Sequence, residues 1–227
     1  MTTRTGSFII VLAVFALLAG CASMPQTALE DKEASLKVKP SSEFHNTLIY
    51  VRPGVDANKY KKFYIDTVQI YRGPDAQFGN VTEEKKQKMA GFIRDEFVRV
   101  LKKDFEVVDR PGPGVLRIRF ILAGIQETVP PLAAVTHALP AGLVMNLGLS
   151  AAHMKGSFIG SVVFGGEFFD GETGKLEAAF LTKNSPNAMD ITTVFTGLDA
   201  AKQAVTDTAE KFREVMVKMQ KEKKQVR

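Results

Sequence analysis

Two acidic residues are the strongest candidates for acid–base chemistry in this sequence. Asp66 and Glu167 stand inside apolar, β-rich runs that predict largely buried strands. An unpaired buried carboxylate is costly, so two of them with separated pKa values could act as an acid and a base. The competing interpretation is structural, with each carboxylate accepting backbone N–H groups or pairing with Arg117 or Arg119. Buried ion pairs are commoner than active sites, which favours the structural interpretation.

The remaining reactive side chains match no familiar site. His45, His137 and His153 are too dispersed for a metal motif such as His-Glu-x-x-His. The Gly174-Lys175 pair lacks the earlier glycine and the following hydroxyl of a phosphate-binding loop, and no Gly-x-Ser-x-Gly elbow occurs. We therefore expect no metal and no cofactor, and we assign no catalytic residue.

Cys21 is the single cysteine, and its position predicts a lipid anchor. It ends residues 17–21 (Leu-Leu-Ala-Gly-Cys), which resemble the bacterial lipobox of leucine, a small residue, glycine and cysteine. As a thiolate, the side chain can take a diacylglyceryl group as a thioether. The apolar run 8–18 has the length of a signal-peptide core and is too short for a membrane span of about 20 residues. Residues 1–20 are thus predicted to be a signal peptide, with Cys21 the lipidated first residue of the mature protein.

The compartment follows from the anchor. Ala22 stands where many Gram-negative lipoproteins retained in the inner membrane have aspartate, so the expected location is the outer membrane, facing the periplasm. The mature chain has no second cysteine and no internal disulfide. Residues 21–43 are predicted to be a lipid-anchored tether, because residues 22–40 are mixed, polar and aperiodic. These roughly 20 residues would span about 70 Å when fully extended.

Hydrophobic periodicity predicts the elements that would position these residues. Strands are predicted at residues 46–51, 62–72, 105–109, 115–128, 158–169 and 176–182. A helix of about six turns follows the N-cap residue Thr82 and ends near Leu101. A long C-terminal helix has an apolar stripe from Leu198 to Met219. Loop 170–175 contains two glycines, so the strands that flank it are expected to form an antiparallel hairpin.

The resulting order is β-β-α-β-β-insertion-β-β-α. It predicts a single α+β domain at residues 44–220, a mostly antiparallel mixed sheet with two helices packed against it. Alternation along residues 115–128 places Arg117 and Arg119 on the face opposite to the apolar side chains. Residues 221–227 are predicted to be a basic tail.

Four short motifs, most of them centred on turns, follow one another in a fixed order. They are Tyr-Val-Arg-Pro-Gly at 50–54, Tyr-Lys-Lys at 60–62 with Asp66, the run Val-Asp-Arg-Pro-Gly-Pro-Gly-Val-Leu-Arg at 108–117, and Gly160 through Glu167 to Asp-Gly-Glu-Thr-Gly at 170–174. Over residues 44–216 this pattern resembles the bacterial lipoprotein family catalogued as domain of unknown function 3313. The resemblance implies an envelope location and no particular activity. In outline, the order also resembles small domains of lipoproteins that activate cell-wall synthases or build secretion pores.

An insertion without charged residues interrupts the predicted sheet. Residues 128–154 contain no Asp, Glu, Lys or Arg and are rich in apolar side chains. Three fates are open: burial over the sheet, contact with a partner or a second copy, or contact with the membrane. Our hypothesis is that Leu143, Leu147 and Leu149 form the edge of an interaction surface.

The positive charge is concentrated at the C-terminus. The formal net charge is +5, and residues 211–227 contain seven Lys or Arg against two Glu. Such a segment suits anionic lipid head groups and equally suits a solvated helix end, and both interpretations stay open. Nucleic acid is not an expected partner, because the compartment is wrong and no aromatic-plus-basic motif occurs.

Two functions from different classes follow from the sequence. The first is a non-enzymatic envelope lipoprotein that binds a protein partner or forms a homo-oligomer, supporting an assembly at the outer membrane. The second is a hydrolase or lyase that acts on cell-wall or lipid material with Asp66 or Glu167. The lack of a recognisable nucleophile, metal set or phosphate loop favours the first.

The lipid anchor can be tested at one residue. Replacing Cys21→Ser should abolish acylation, because no thiolate remains to take the lipid. Membrane fractionation and intact-mass measurement of both proteins check this. A wild-type mass without acyl groups, or a Cys21→Ser protein that is still cleaved before position 21 and membrane-bound, would contradict it.

Overall fold

One mixed sheet of eight strands organises the domain. The computed structural model describes residues 24–128, 160–185 and 197–225, with side chains up to Lys221. The strands are β1 (Lys39–Pro40), β2 (Thr47–Val51), β3 (Lys62–Ile65), β4 (Gln69–Ile70), β5 (Glu106–Val107), β6 (Val115–Gln126), β7 (Ser161–Asp170) and β8 (Leu176–Asn184). Their order is β1-β2-β8-β7-β6-β3-β5, with β4 also beside β6. Neighbours are antiparallel from β1 to β6, whereas β3, β4 and β5 pair in parallel. The predicted α+β class with a mixed sheet is confirmed.

In the described part of the chain, three α-helices accompany the sheet: α1 (Lys32–Lys37), α2 (Glu83–Leu101) and α3 (Asp199–Gln225). The predicted cap of α2 is present, because the Thr82 side chain accepts a hydrogen bond from the Lys85 backbone N–H. Helix α3 continues to Gln225, through most of the segment predicted as a tail. No helix in the described ranges is both long enough and apolar enough to cross a membrane.

Helices α2 and α3 cover one face of the sheet, here called the helical face. Phe97 of α2 is fully buried, with its ring centroid 4.3 Å from that of Phe120 on β6. Alternation along β6 sends Phe120 and Leu122 to this face and Ile121 and Ala123 to the opposite one, as the sequence pattern predicts. The sheet therefore has an apolar core on each side.

The predicted hairpin is confirmed. Strands β7 and β8 pair antiparallel from Val162 opposite Asn184 down to the turn. In that turn the Asp170 side chain accepts the backbone N–H groups of Glu172 and Thr173. Gly174 has φ +69°, a conformation that glycine adopts without strain.

The single strand predicted at residues 62–72 is instead two strands, β3 and β4. Ile65 pairs with Ile118, and Gln69 pairs with Ile121, so four steps along this segment face three along β6. The segment between β3 and β4 therefore has one residue more than a continuous ladder with β6 can pair, and this extra residue forms a local bulge. The break falls next to Asp66, whose backbone N–H donates to the Ile118 carbonyl.

Residues 24–40 are folded, which differs from the expected tether. A 3-10 turn at Gln26–Ala28 and α1 lie on the face opposite to α2 and α3, here called the N-terminal face, and β1 extends the edge of the sheet beside β2. Leu29 and Ala34 are buried there, and a Cβ built on Gly165 would lie only 3.0 Å from the Leu29 Cδ2 atom. Because Gly165 has no side chain, the N-terminal segment can pack directly against β7. The hydrophobic pattern of this segment follows no single period, because the segment contains a 3-10 turn, a six-residue helix and a two-residue strand.

Several predicted features lie outside the described residues. These are Cys21 with the signal peptide, and the insertion with His137, Leu143, Leu147, Leu149 and His153. They stay predictions.

Two leucines in the N-terminal segment test whether it belongs to the folded domain. Leu29→Ala should lower the free energy of unfolding by about 2–4 kcal/mol, because Leu29 is 3% exposed and its removal leaves a cavity. Leu36→Ala is the matched control: Leu36 is 84% exposed, so a change within about 0.5 kcal/mol is expected. Denaturant titration measures both. Equal, small effects would show that the segment contributes nothing to stability.

Candidate binding groove

The two acids singled out from the sequence each pair with a different arginine. The Arg117 Nε donates to Asp66 Oδ2 at 2.8 Å. The Arg119 Nε and Nη2 atoms donate to Glu167 Oε2 at 2.8 and 2.6 Å. Glu167 has no solvent exposure, whereas the Arg117 side chain is 40% exposed. The structure therefore gives both carboxylates the ion-pair role that competed with acid–base catalysis.

The Glu167 carboxylate also holds the N-terminal segment. Its Oε1 atom accepts the backbone N–H of Asp31 at 2.7 Å, and Asp31 is the N-cap residue of α1. Arg119 completes the cluster, since its guanidinium also reaches Glu30 at 3.1 Å and lies 4.9 Å from the Phe169 ring centroid. This site fixes the 24–40 segment onto the sheet.

An apolar groove lies in the described part of the domain. It lies on the helical face, between α3 and the strands β2 and β8, and has a volume of about 720 Å³. Its apolar lining comes mainly from Phe44, Ile49, Val51, Phe168, Ala178, Phe180, Phe212, Val215, Met216 and Met219. Helix α3 packs over β7, where Phe212 stacks on Phe168 at 5.3 Å, and the groove opens between this contact and β2.

A network of ion pairs adjoins the groove at Glu177 and Tyr60, which both line it. Glu177, 3% exposed, accepts a hydrogen bond from Arg52 at 2.5 Å and lies 3.4 Å from the Lys59 Nζ atom. The Lys59 ammonium also donates to Asp170, and this bond holds the pKa of the Asp170 carboxyl well below its usual range. Burial raises the pKa of the adjacent Tyr60, which donates to Asp170 at 3.0 Å. With its pKa lowered, Asp170 stays ionised at neutral pH, and with its pKa raised, Tyr60 stays protonated, which suits a structural role rather than proton transfer.

The rim of the groove carries separate charges. Lys211 lies with its Nζ atom 5.4 Å from the Phe44 ring centroid and makes no ion pair with any residue in the described ranges. Asp207, one turn earlier on α3, accepts a hydrogen bond from Gln203. Lys39, Glu43 and His45 complete the charged and titratable part of the rim. The groove thus combines an apolar body with a rim of mixed charge.

No metal site emerges from the described part of the chain, where no three His, Cys, Asp or Glu side chains come together. His45 lines the groove, far in sequence from the other two histidines. Sequence reasoning missed the groove because its lining extends from Lys39 to Met219 with no local motif. The sequence carries one signal of the groove. The apolar stripe of α3 continues to Met219, which is 42% exposed and so is not used by the core.

Comparison with known proteins supports the resemblance found in the sequence. A family model described as "Protein of unknown function (DUF3313)" matches residues 28–212, which includes most of the folded N-terminal segment. No curated protein matches the chain. Solved structures that it is similar to include the PelC dodecamer from Paraburkholderia phytofirmans, at 9% identity and TM-score 0.37, over 72% of this chain and 96% of that one. Another is a Xanthomonas campestris protein of the DUF330 family, at 11% identity and TM-score 0.36, over 77% and 94%.

The roles of the two acids can be compared by matched amide substitutions. Glu167→Gln should lower the free energy of unfolding by about 2–3 kcal/mol, because the charged hydrogen bonds that Arg119 and the Asp31 N–H make to a fully buried carboxylate are lost or weakened. Asp66→Asn should cost less than about 1 kcal/mol, because the Arg117 partner is largely hydrated. Denaturant titration at neutral pH checks both values. A larger cost for Asp66→Asn would contradict the assignment of Glu167 as the structural centre.

Proposed function

We propose a non-enzymatic binding role for this chain, which belongs to the DUF3313 family of proteins of unknown function. In this role the mature protein is anchored by a lipid on Cys21 at the outer membrane, faces the periplasm, and holds an apolar ligand in the groove between α3 and the β2–β8 strands. The groove is the observation that carries the proposal.

The dimensions and lining of the groove suit a small ligand. Binding sites for small molecules are typically clefts of about 300–1,000 Å³ lined mainly by apolar side chains with a few placed polar groups. The groove has a volume of about 720 Å³, apolar walls and a charged rim. Val51 and Met219 are exposed there, so a ligand that covers them gains the free energy of removing apolar surface from water.

The ion pairs of Asp66 and Glu167 support binding over catalysis. A general acid or base must reach the substrate, yet Glu167 is fully buried and held by Arg119 and by the Asp31 N–H. Asp66 is likewise occupied by Arg117. A hydrolase or lyase that uses either acid gains no support from this geometry.

The folded N-terminal segment limits the distance between the domain and a lipid on Cys21. Cys21 and Met24 are three residues apart, and three residues of any conformation span no more than about 11 Å. Because the chain is folded from residue 24 onward, a lipid on Cys21 would hold the domain directly at the membrane surface. Association with a protein partner or a second copy through Leu143, Leu147 and Leu149 stays a separate prediction, and the groove does not require it.

The binding role can be tested with an apolar fluorescent dye. The Cys21→Ser chain, handled without detergent, should bind 1-N-phenylnaphthylamine. Val51→Glu and Met219→Glu should each weaken the Kd about tenfold, because the ligand would have to desolvate a carboxylate in the groove. Leu36→Glu is the control: it changes a third exposed apolar residue, outside the groove, and should leave the Kd unchanged. Dye uptake that is absent, or equally reduced in all three variants, would refute the groove as the binding site.

A further inference from the structure

We infer that the ligand of this groove is a membrane phospholipid with an amine-bearing head group. One acyl chain lies in the groove, and the head group lies at the rim beside Lys211 and Asp207. The inference rests on the proposed binding role and names its ligand class.

The shape of the groove fits a single hydrocarbon chain. Along α3 its lining extends from Ala204 to Met219, fifteen steps of about 1.5 Å, or about 22 Å. On the other side it follows β2 from Thr47 to Val51 and then the residues up to Tyr60. The part from Lys211 to Met219, eight such steps or about 12 Å, lies between α3 and the strands β2 and β8 and can hold a stretch of one linear apolar chain. The favourable free energy comes from the apolar side chains of the groove, which leave water when the chain covers them.

The position of unpaired charge places the head group about midway along the α3 side of the groove, because Lys211 lies between the lining residues Ala204 and Met219. Arg52 and Lys59 lie near the lining residue Glu177 and are paired with Glu177 and Asp170. Lys211 has no carboxylate partner in the described ranges and is exposed at the rim. An anionic phosphate therefore finds its free counter-charge at Lys211.

The carboxylates of the rim favour a zwitterionic head group over a purely anionic one. Asp207 and Lys211 are four residues apart on α3, so they lie on the same side of the helix, yet no ion pair joins them. One carboxylate oxygen of Asp207 accepts a hydrogen bond from the Gln203 side-chain amide. The carboxylate can accept further hydrogen bonds from a ligand. A phosphate beside Lys211 places an ethanolamine ammonium within reach of Asp207, whereas a glycerol head group would leave this carboxylate without a counter-charge.

The test uses the full-length lipidated protein in the membranes of a Gram-negative host. A benzophenone amino acid replaces Val215, which lines the groove, or Glu214, the exposed neighbour that does not. Cells are labelled with ³²P-phosphate and irradiated, and the purified protein is analysed for ³²P and by mass spectrometry. A phospholipid adduct carrying ethanolamine is expected from position 215 and not from position 214.

Charge variants then test the head-group contacts. Lys211→Gln in the position-215 background should reduce the adduct about tenfold, whereas Lys221→Gln, an exposed lysine outside the groove, should not. Asp207→Asn should shift the adducts from ethanolamine towards glycerol head groups, a change of selectivity that a loss of folding would not produce.

The possible outcomes separate this inference from the proposed function. A protein adduct at position 215, an adduct with another segment of the same chain, equal adducts at both positions or no adduct would each overturn the phospholipid inference. If the dye still binds in the groove in those cases, the binding role stands and only the ligand class is wrong. If neither dye nor lipid binds, both fall.

Discussion

The buried carboxylate of Glu167 is the interaction on which the rest of this fold depends. It lies on the central strand β7 with no exposure to water, where an unpaired charge would cost many kcal/mol. Its compensation comes from two other parts of the chain: the Arg119 guanidinium on β6 and the backbone N–H of Asp31 before α1. The carboxylate is satisfied only when β6, β7 and the N-terminal segment are all in place. One side chain thereby couples the sheet to the segment that covers its N-terminal face.

The groove exists because the two faces of the sheet are covered to different extents by the rest of the chain. On the N-terminal face, Leu29, Ala34 and Val38 pack against the strands between β2 and β6. On the helical face, α2 and α3 pack over β6 and β7 and leave β2 uncovered in the described part of the chain. The small side chains of Ala178 and Ala204 line the space that remains. A concave apolar surface is thus built into the arrangement of the helices and needs no dedicated loop.

Sequence reasoning succeeds here where the information is local. The Thr82 cap, the apolar stripe of α2 and the glycine turn at 170–175 each depend on neighbouring residues, and the structure has all three. It fails where the structure of a residue depends on a partner that lies far away in the sequence. The bulge beside Asp66 is visible only against the register of β6, and the helical nature of residues 32–37 depends on burial of Ala34 against the sheet. The sequence offers Arg119 as a partner for Glu167, but the contact with Asp31 spans 136 residues and has no sequence signature.

The shortness of the outer strands has a consequence for how copies of this protein can meet. The sheet ends in β1 on one side and in β5 on the other, and each strand has two residues. Pro40 also removes a backbone donor from β1. Such edges offer little template for the addition of another strand, which is the usual route to edge-to-edge aggregation. Neighbouring copies of the domain can therefore collide often without polymerising through the backbones of these edge strands.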